Sequence, residues 1–369
     1  MSEIKVNSIK GVGATAAAIT VNNSDGTCTA NITNNLSNRN LVINGAMNIA
    51  QRGTSSTSAG YATVDRFRLA VANADQAAFT QKQVSDSPDD FSQSYEFDVT
   101  TAETSLDSNE YAFIGHRVEA QNLQRVKANQ VTLSFYVKAY QTGTYAINIY
   151  QQDGNIQITK TYTVSQSGTW EKKTLTFAAN TGTQPNNDNG FGWEIGWVMA
   201  AGSGVTSSDS TSWGTYSDAG FAFGQGVNVL SSTDNYFKIT GIQLEVGSVA
   251  TDFEHRSIGQ ELALCQRYYW KIAQNTYRRV NGYKRADANS FWEVKCPVPM
   301  RTAPSPTLIT SGTFTNFNTN FNTTQSSPVV NEWNTDTGMG LLHVQSNWST
   351  TSASIPSWEG YEIEFSSEL

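Results

Sequence analysis

Two carboxylates held about 5–10 Å apart across a groove are the machinery of a glycosidase. The sequence offers candidates in Asp86, Asp89, Asp90, Asp188, Glu194, Asp209 and Asp218. Spacing selects no pair among them, because a β-rich chain with 32 acidic residues supplies many. The run 186–190, Asn-Asn-Asp-Asn-Gly, has the composition of a calcium loop but not its ligand spacing, and reads as a turn. His116, His255 and His343 are isolated, so a three-histidine metal centre would need long-range convergence. The chain has no Gly-x-Ser-x-Gly elbow, no His-Glu-x-x-His pair and no Gly-Lys-Ser/Thr phosphate loop. The expectation is a protein without catalytic residues, cofactor or metal.

Aromatic residues beside amides and hydroxyls suit a different chemistry. A sugar presents C–H faces that stack on rings and hydroxyls that need donors and acceptors. Trp333, Trp348 and Trp358 cluster in a C-terminal region with few charges and are candidate carbohydrate contacts. Trp213 and Tyr216 lie in the longest irregular stretch, 201–216, and a loop of that length usually has a task. They are candidates too, although the same rings would serve to plug the end of a sandwich.

Composition narrows the partners. Net charge is −8 and no Lys/Arg run is present, which makes duplex DNA and RNA poor ligands. No stretch approaches the ~20 apolar residues of a membrane-spanning helix, and the N-terminus lacks the apolar core of a secretory leader. Charged residues make up 15% of the chain, and 17 Phe, 15 Tyr and 9 Trp favour strands over helices. Cys28, Cys265 and Cys296 form no framework and read as buried thiols from a reducing cytoplasm.

The elements that must carry these residues are mostly strands. From 41 to 250 about ten short runs alternate apolar and polar residues, as in Val131-Leu133-Phe135-Val137 and Trp193-Ile195-Trp197-Met199. This pattern predicts a jelly-roll β-sandwich. Phe237 and Ile239 are odd-numbered whereas Ile242, Leu244 and Val246 are even, so a bulge is expected at Gly241. The period then becomes helical: Ile258, Leu262, Cys265, Tyr269 and Ile272 share one face, and Ser257 with Gln260 is a capping-box start. A lone helix of about four turns needs a covering surface, and these five residues are the expected oligomer seam. Residues 251–274 form a linker around that helix, and 275–369 a second, smaller β-sandwich. There Pro297 and Pro299 suggest an edge strand, and 314–324 an exposed hairpin or a stacking surface. Residues 1–40 carry too few aromatics to bury a core alone, and read either as a disordered tail or as an arm that folds only against a partner or in an oligomer.

Several of these stretches resemble one family. Gly-Ile-Gln-Leu-Glu-Val-Gly (241–247), Phe-Glu-His-Arg (253–256) and Glu-Leu-Ala-Leu-Cys-Gln-Arg-Tyr-Tyr (261–269) look like the hallmark of bacteriophage tail-fibre and appendage proteins, common among marine and cyanobacterial phages. Asn-Leu-Val-Ile-Asn-Gly-Ala-Met (40–47), Gln-Arg-Gly (51–53), Asp-Arg-Phe (65–67) and Cys-Pro-Val-Pro-Met-Arg-Thr-Ala-Pro (296–304) are similar to its other motifs. The resemblance spans roughly 40–310 and implies a virion structural protein. It would be a homotrimer, joined through residues 1–40 to other tail or baseplate proteins, presenting its C-terminal domain to a host-surface glycan. A capsule or lipopolysaccharide depolymerase, and a purely architectural neck, collar or capsid part, are the alternatives. The jelly roll also resembles the carbohydrate-binding modules of polysaccharide-degrading enzymes.

Overall fold

The computed structural model describes residues 8–10, 12, 19–21, 28–30, 38–273, 280–281, 283–285, 289–310, 313–316, 319–320, 329–334, 339–345, 356–359 and 362–369. Twelve strands build the main unit. They are β1 (Ser55–Ser56), β2 (Phe67–Ala72), β3 (Ala78–Val84), β4 (Ser94–Thr101), β5 (Tyr111–Glu119) and β6 (Val131–Ala139), then β7 (Gly143–Gln151), β8 (Ile156–Val164), β9 (Glu171–Phe177), β10 (Phe191–Ala201), β11 (Gly214–Thr215) and β12 (Tyr236–Val246). They form two six-stranded antiparallel sheets, ordered β11-β8-β7-β10-β5-β2 and β9-β6-β12-β4-β3-β1. The chain is mainly β and this unit is the expected jelly-roll sandwich.

Alternation decides which side chains meet between the sheets. Phe67, Leu69, Ile114, Ile147, Ile149, Ile195 and Trp197 come from one sheet, and Tyr95, Phe97, Leu133, Phe135, Val137 and Phe237 from the other. Trp197 is fully buried and meets Phe135 edge-on, with ring centroids 6.0 Å apart. Truncating such a ring to Ala removes about 3–5 kcal/mol. The phase switch expected at Gly241 is present: the β12–β6 register slips between Thr240 and Gln243, and Gly241 has φ +61°. That slip lets both Ile239 and Ile242 reach the core.

After the sandwich, Ser257 caps the helix α1 (Ile258–Gln266) by accepting from the Gln260 amide at 3.3 Å. The helix is shorter than its apolar period predicts. It stops at Gln266, and Tyr269–Ala273 forms a strand paired with Glu362–Ser366, which also pairs with Ser305–Thr310. Tyr-Tyr-Trp-Lys-Ile is a good strand sequence, and the available partner strand outweighs the helical spacing. The expected linker therefore gives way to sheet at Tyr269. The five residues predicted as one helical seam do not share a face: Ile258, Leu262 and Cys265 are on α1, Tyr269 and Ile272 on the strand.

The second, smaller β unit contains two four-stranded antiparallel sheets. One holds Tyr283–Arg285, Asn289–Lys295, Met339–Gln345 and Val329–Asn334 in that order; the other holds Val280–Asn281, Pro356–Glu359, Thr313–Asn316 and Thr319–Asn320. The expected hairpin in 314–324 is present as Thr315 opposite Asn320. The expected edge strand is not: Asn289–Lys295 pairs on both sides, and it ends before Pro297, where proline lacks the donor to continue. Near the N-terminus Ser8–Ile9, Ile19–Val21 and Cys28–Ala30 form a small antiparallel sheet.

Residues 362–369 dock on the sandwich through charge. Arg66 is fully buried, bonds Glu368, donates to the Arg117 carbonyl at 2.7 Å and lies 3.4 Å over the Tyr268 ring. Arg267 forks onto Glu119 at 2.8 and 3.0 Å.

Candidate functional site

The outward face of the β10-containing sheet is a trench. Reading across β7, β10, β5 and β2, the register places Asn148 opposite Gly196, Gly196 opposite Gly115, and Gly115 opposite Arg68. Two adjacent glycines thus leave the middle of this row without side chains. The rows on either side are filled. Tyr150, Glu194 and Arg117 form one, in register. Phe113 stands on the other side of the glycine row, with Tyr111 two residues further along β5. The resulting cavity has a volume of about 530 Å³ and is open to solvent.

The segment between β10 and β12 adds one ring to each wall. Phe221 packs on Tyr111 and Phe113 at 5.1 and 5.2 Å, while Tyr216 packs on Tyr150 at 4.9 Å. Phe191 completes this second group, 6.0 Å from Tyr150. By simple alternation Phe191 would share the inward phase of Trp193. A register slip between Phe191 and Trp193 changes that phase, and Phe191 lines the trench instead. Gly192 permits the slip, since a Cβ there would come within 2.7 Å of the Ala120 backbone.

The polar groups on the floor are fixed. Arg68 forks onto Glu194, with Nη2 donating to Oε2 at 2.9 Å, and Arg117 Nε donates to Oε1 at 3.1 Å. The Arg117 guanidinium lies 4.4 Å over Phe191, and that of Arg68 5.1 Å from Phe113. The Asn148 amide donates to Gln157 and Thr159 at 3.1 and 2.9 Å. Tyr216 donates to Asp218 at 2.8 Å. Burial, then the Asp218 hydrogen bond, raises the Tyr216 phenol; burial, then the Asp218 charge, raises Tyr111; burial, then the Glu194 charge, raises Tyr150. All three phenols therefore stay neutral donors near pH 7. Rings on two walls and fixed hydrogen-bonding groups on the floor can hold a polyhydroxylated chain by stacking and hydrogen bonding.

The predicted residues distribute unevenly. Tyr216 lines the trench. Trp213 does not: it packs on Trp193 at 5.6 Å and donates to the Ala178 carbonyl at 2.8 Å, closing the sandwich end. Trp333 and Trp358 are on the strands Val329–Asn334 and Pro356–Glu359, with side chains outside the described residues, where Trp348 lies altogether. Of the seam residues, Cys265 and Tyr269 are buried within the chain, Tyr269 donating to Glu364 at 2.9 Å, while Ile258 is exposed. Leu262 and Ile272 are partly covered. Cys265 and Cys296 are free and buried, as the reading of thiols as small hydrophobes expects.

Among the acids, Glu194 is on the trench floor and Asp218 beside Tyr216. Asp86 is engaged by Lys138, Lys238 and Trp170. Asp188 and Asp209 cap turns, at the Gly190 and Thr211 amides. Asp89 is exposed. Asp90 lines a smaller cavity of about 360 Å³ with Phe91, Tyr136, Phe253 and His255. His255 packs between the Phe91 and Phe253 rings, and His116 is buried against Phe67.

No protein-family model matches the sequence, and no curated protein matches it. Solved structures align with somewhat more than half of the chain. A putative sugar binding protein from Bacteroides thetaiotaomicron is 12% identical with a TM-score of 0.36, covering 57% of this chain and all of that one. The enzymatically active domain of tailspike protein 4 from bacteriophage CBA120 is 14% identical with a TM-score of 0.32, covering 56% of this chain but 21% of that one. A family 11 carbohydrate-binding module from Clostridium thermocellum is 12% identical with a TM-score of 0.28, covering 53% of this chain and 96% of that one.

Proposed function

We propose that this chain is a glycan-binding structural protein of a phage appendage, a tail fibre or similar part, and that it holds host-surface sugar without cleaving it. The observation that carries this reading is the trench over Gly115 and Gly196, with Tyr111, Phe113 and Phe221 on one side and Tyr150, Phe191 and Tyr216 on the other. Its surface offers both things a sugar chain needs: ring faces and fixed hydrogen-bonding groups. Glu194 is held by two guanidinium groups, which fix its oxygens where they can accept hydrogen bonds from sugar hydroxyls. The motifs at 241–247, 253–256 and 261–269 support the appendage assignment. In that setting residues 1–40 attach to other tail or baseplate proteins, and the virion presents several copies. Repetition multiplies a weak single-site affinity. A homotrimer is the expected copy number, with Ile258 at the exposed end of α1 available to a neighbouring chain.

The experiment is a glycan array carrying neutral and acidic bacterial surface oligosaccharides, run with the full chain and followed by a reducing-end assay on every sugar that binds. Binding without release of reducing ends is the expected result. Release would make the protein a depolymerase. Binding of nothing on the array, or of the host polysaccharide in solution, would favour a purely architectural part.

A further inference from the structure

Three carboxylates converge at one end of the trench. Asp75 is in the β2–β3 loop; Glu103 and Glu110 are in the β4–β5 connection, with Glu110 immediately before the trench residue Tyr111. One oxygen from each lies within 4.8 Å of the others. That is the separation at which three oxygens can touch one ion at about 2.3–2.6 Å.

Burial makes the arrangement costly without a cation. Glu103 is 3% exposed and Glu110 4%. Both Glu103 oxygens are buried and lack a well-placed hydrogen-bond donor, and the Ala77 amide only partly offsets the charge. A buried carboxylate without a partner is strongly unfavourable. One Glu110 oxygen accepts from the Asp107 amide at 2.6 Å, leaving the other to the cluster. Among the described residues no Lys or Arg pairs with Asp75, Glu103 or Glu110. Burial, then the charge of Glu110, pushes the Glu103 carboxyl above its usual range, with Asp75 and Asp107 adding to the effect.

We propose that Asp75, Glu103 and Glu110 bind one calcium ion that locks the β2–β3 loop to the β4–β5 connection. The donors are all carboxylate oxygens, which select a hard cation over zinc or copper. Calcium accepts irregular oxygen shells, whereas magnesium demands near-octahedral geometry and sheds its water reluctantly. The surrounding backbone already joins several segments here. The Glu103 amide donates to the Leu230 carbonyl at 2.8 Å, the Gly202 amide to the Glu110 carbonyl at 2.8 Å, and the Asn73 side chain to the Asn109 carbonyl at 3.1 Å. An ion at this point stiffens the entry to β5 and with it Tyr111.

The test uses the full chain stripped with EDTA. Thermal unfolding and calorimetric titration are followed with calcium chloride, and with magnesium chloride in parallel. The expected result is one calcium per chain and a melting temperature higher by about 5 °C in calcium, with a smaller rise in magnesium. Asp75→Asn, at an exposed position, should weaken calcium binding by at least about tenfold while leaving the EDTA form folded. Glu103→Gln should abolish the calcium shift yet be no less stable than the parent in EDTA, because it removes an uncompensated charge. Identical melting in EDTA and calcium, without binding heat, would overturn the proposal. So would a calcium shift unchanged in both variants, which would put the ion elsewhere. A melting temperature that climbs from pH 7 to pH 5 and ignores calcium would replace the ion with a proton shared by Glu103 and Glu110.

Discussion

Gly196 of β10 stands directly opposite Gly115 of β5, and no side chain rises between them. On a sheet whose neighbouring outward positions carry Glu194, Arg117, Phe113 and Val198, this pair makes the trench. A Cβ on Gly196 would come 3.1 Å from the Phe113 ring, and one on Gly115 would come 2.8 Å from Glu194 Oε1. The first position has a soft neighbour and the second a fixed one.

Filling the trench should therefore separate binding from folding. Gly196→Val places a branched side chain on the floor, where β-branched residues suit a strand. Glycan affinity should fall by about tenfold or more, with stability changed by no more than about 1 kcal/mol. Titration calorimetry and urea unfolding measure the two quantities. A variant that binds as well as the parent would remove the glycine row from the site.

At Gly241 the reverse holds, since this glycine serves the fold. Its φ of +61° is disfavoured for other residues, and a Cβ would come 2.6 Å from the Phe91 ring and 2.9 Å from that of Tyr136. Gly241→Ala should cost about 2 kcal/mol or more in urea unfolding. A neutral substitution would mean that the register slip is not needed.

The buried charge linking the end of the chain to the sandwich should also be measurable. Glu368→Gln leaves the guanidinium of Arg66, which has no solvent exposure, without its anion. A loss of about 2–3 kcal/mol is expected, since the amide can still accept one hydrogen bond. Stability unchanged in denaturant titration would show that residues 362–369 do not contribute to the sandwich.

Asp65 provides a pH signature. Burial raises its carboxyl from 3.8 to about 6, against the lowering effect of Gln51 and Arg52. Because the folded value is the higher one, the folded chain holds this proton to higher pH than the unfolded chain. Its effect is most favourable below pH 3.8 and is lost as pH rises towards about 6. Asp65→Asn removes that dependence. Relative to the parent, the variant should gain on the order of 2–3 kcal/mol between pH 4 and pH 7. A difference that is flat across this range, or falls, would contradict the assignment.

Much of the scaffold was legible because alternation is a direct record of burial. The ten longer strands, the helix cap at Ser257 and the bulge at Gly241 all follow from local pattern. The end of α1 was not legible, because the strand Glu362–Ser366 that claims Tyr269–Ala273 lies about ninety residues later. The trench was only partly legible. Tyr216 is marked by its long loop, but residue type alone does not separate Tyr111, Phe113 and Tyr150 from the core aromatics of a strand. Their outward phase was present in the sequence: Tyr111 and Phe113 share parity with Arg117, and Tyr150 opposes Tyr145, Ile147 and Ile149. Phe191 could not be placed by parity at all, because a register slip sets its direction. Arg68, Arg117 and Glu194 meet only through cross-strand register, which no local pattern encodes.

The most direct test is calorimetric titration of the strongest array-selected oligosaccharide into the parent chain and into Tyr150→Ala, Phe191→Ala and Tyr216→Ala. These three rings form one wall of the trench. Affinity losses of about tenfold are expected for at least two of the three, with melting temperatures within a few degrees of the parent. Undiminished binding in all three variants would place glycan recognition elsewhere on the chain and contradict the trench as the site.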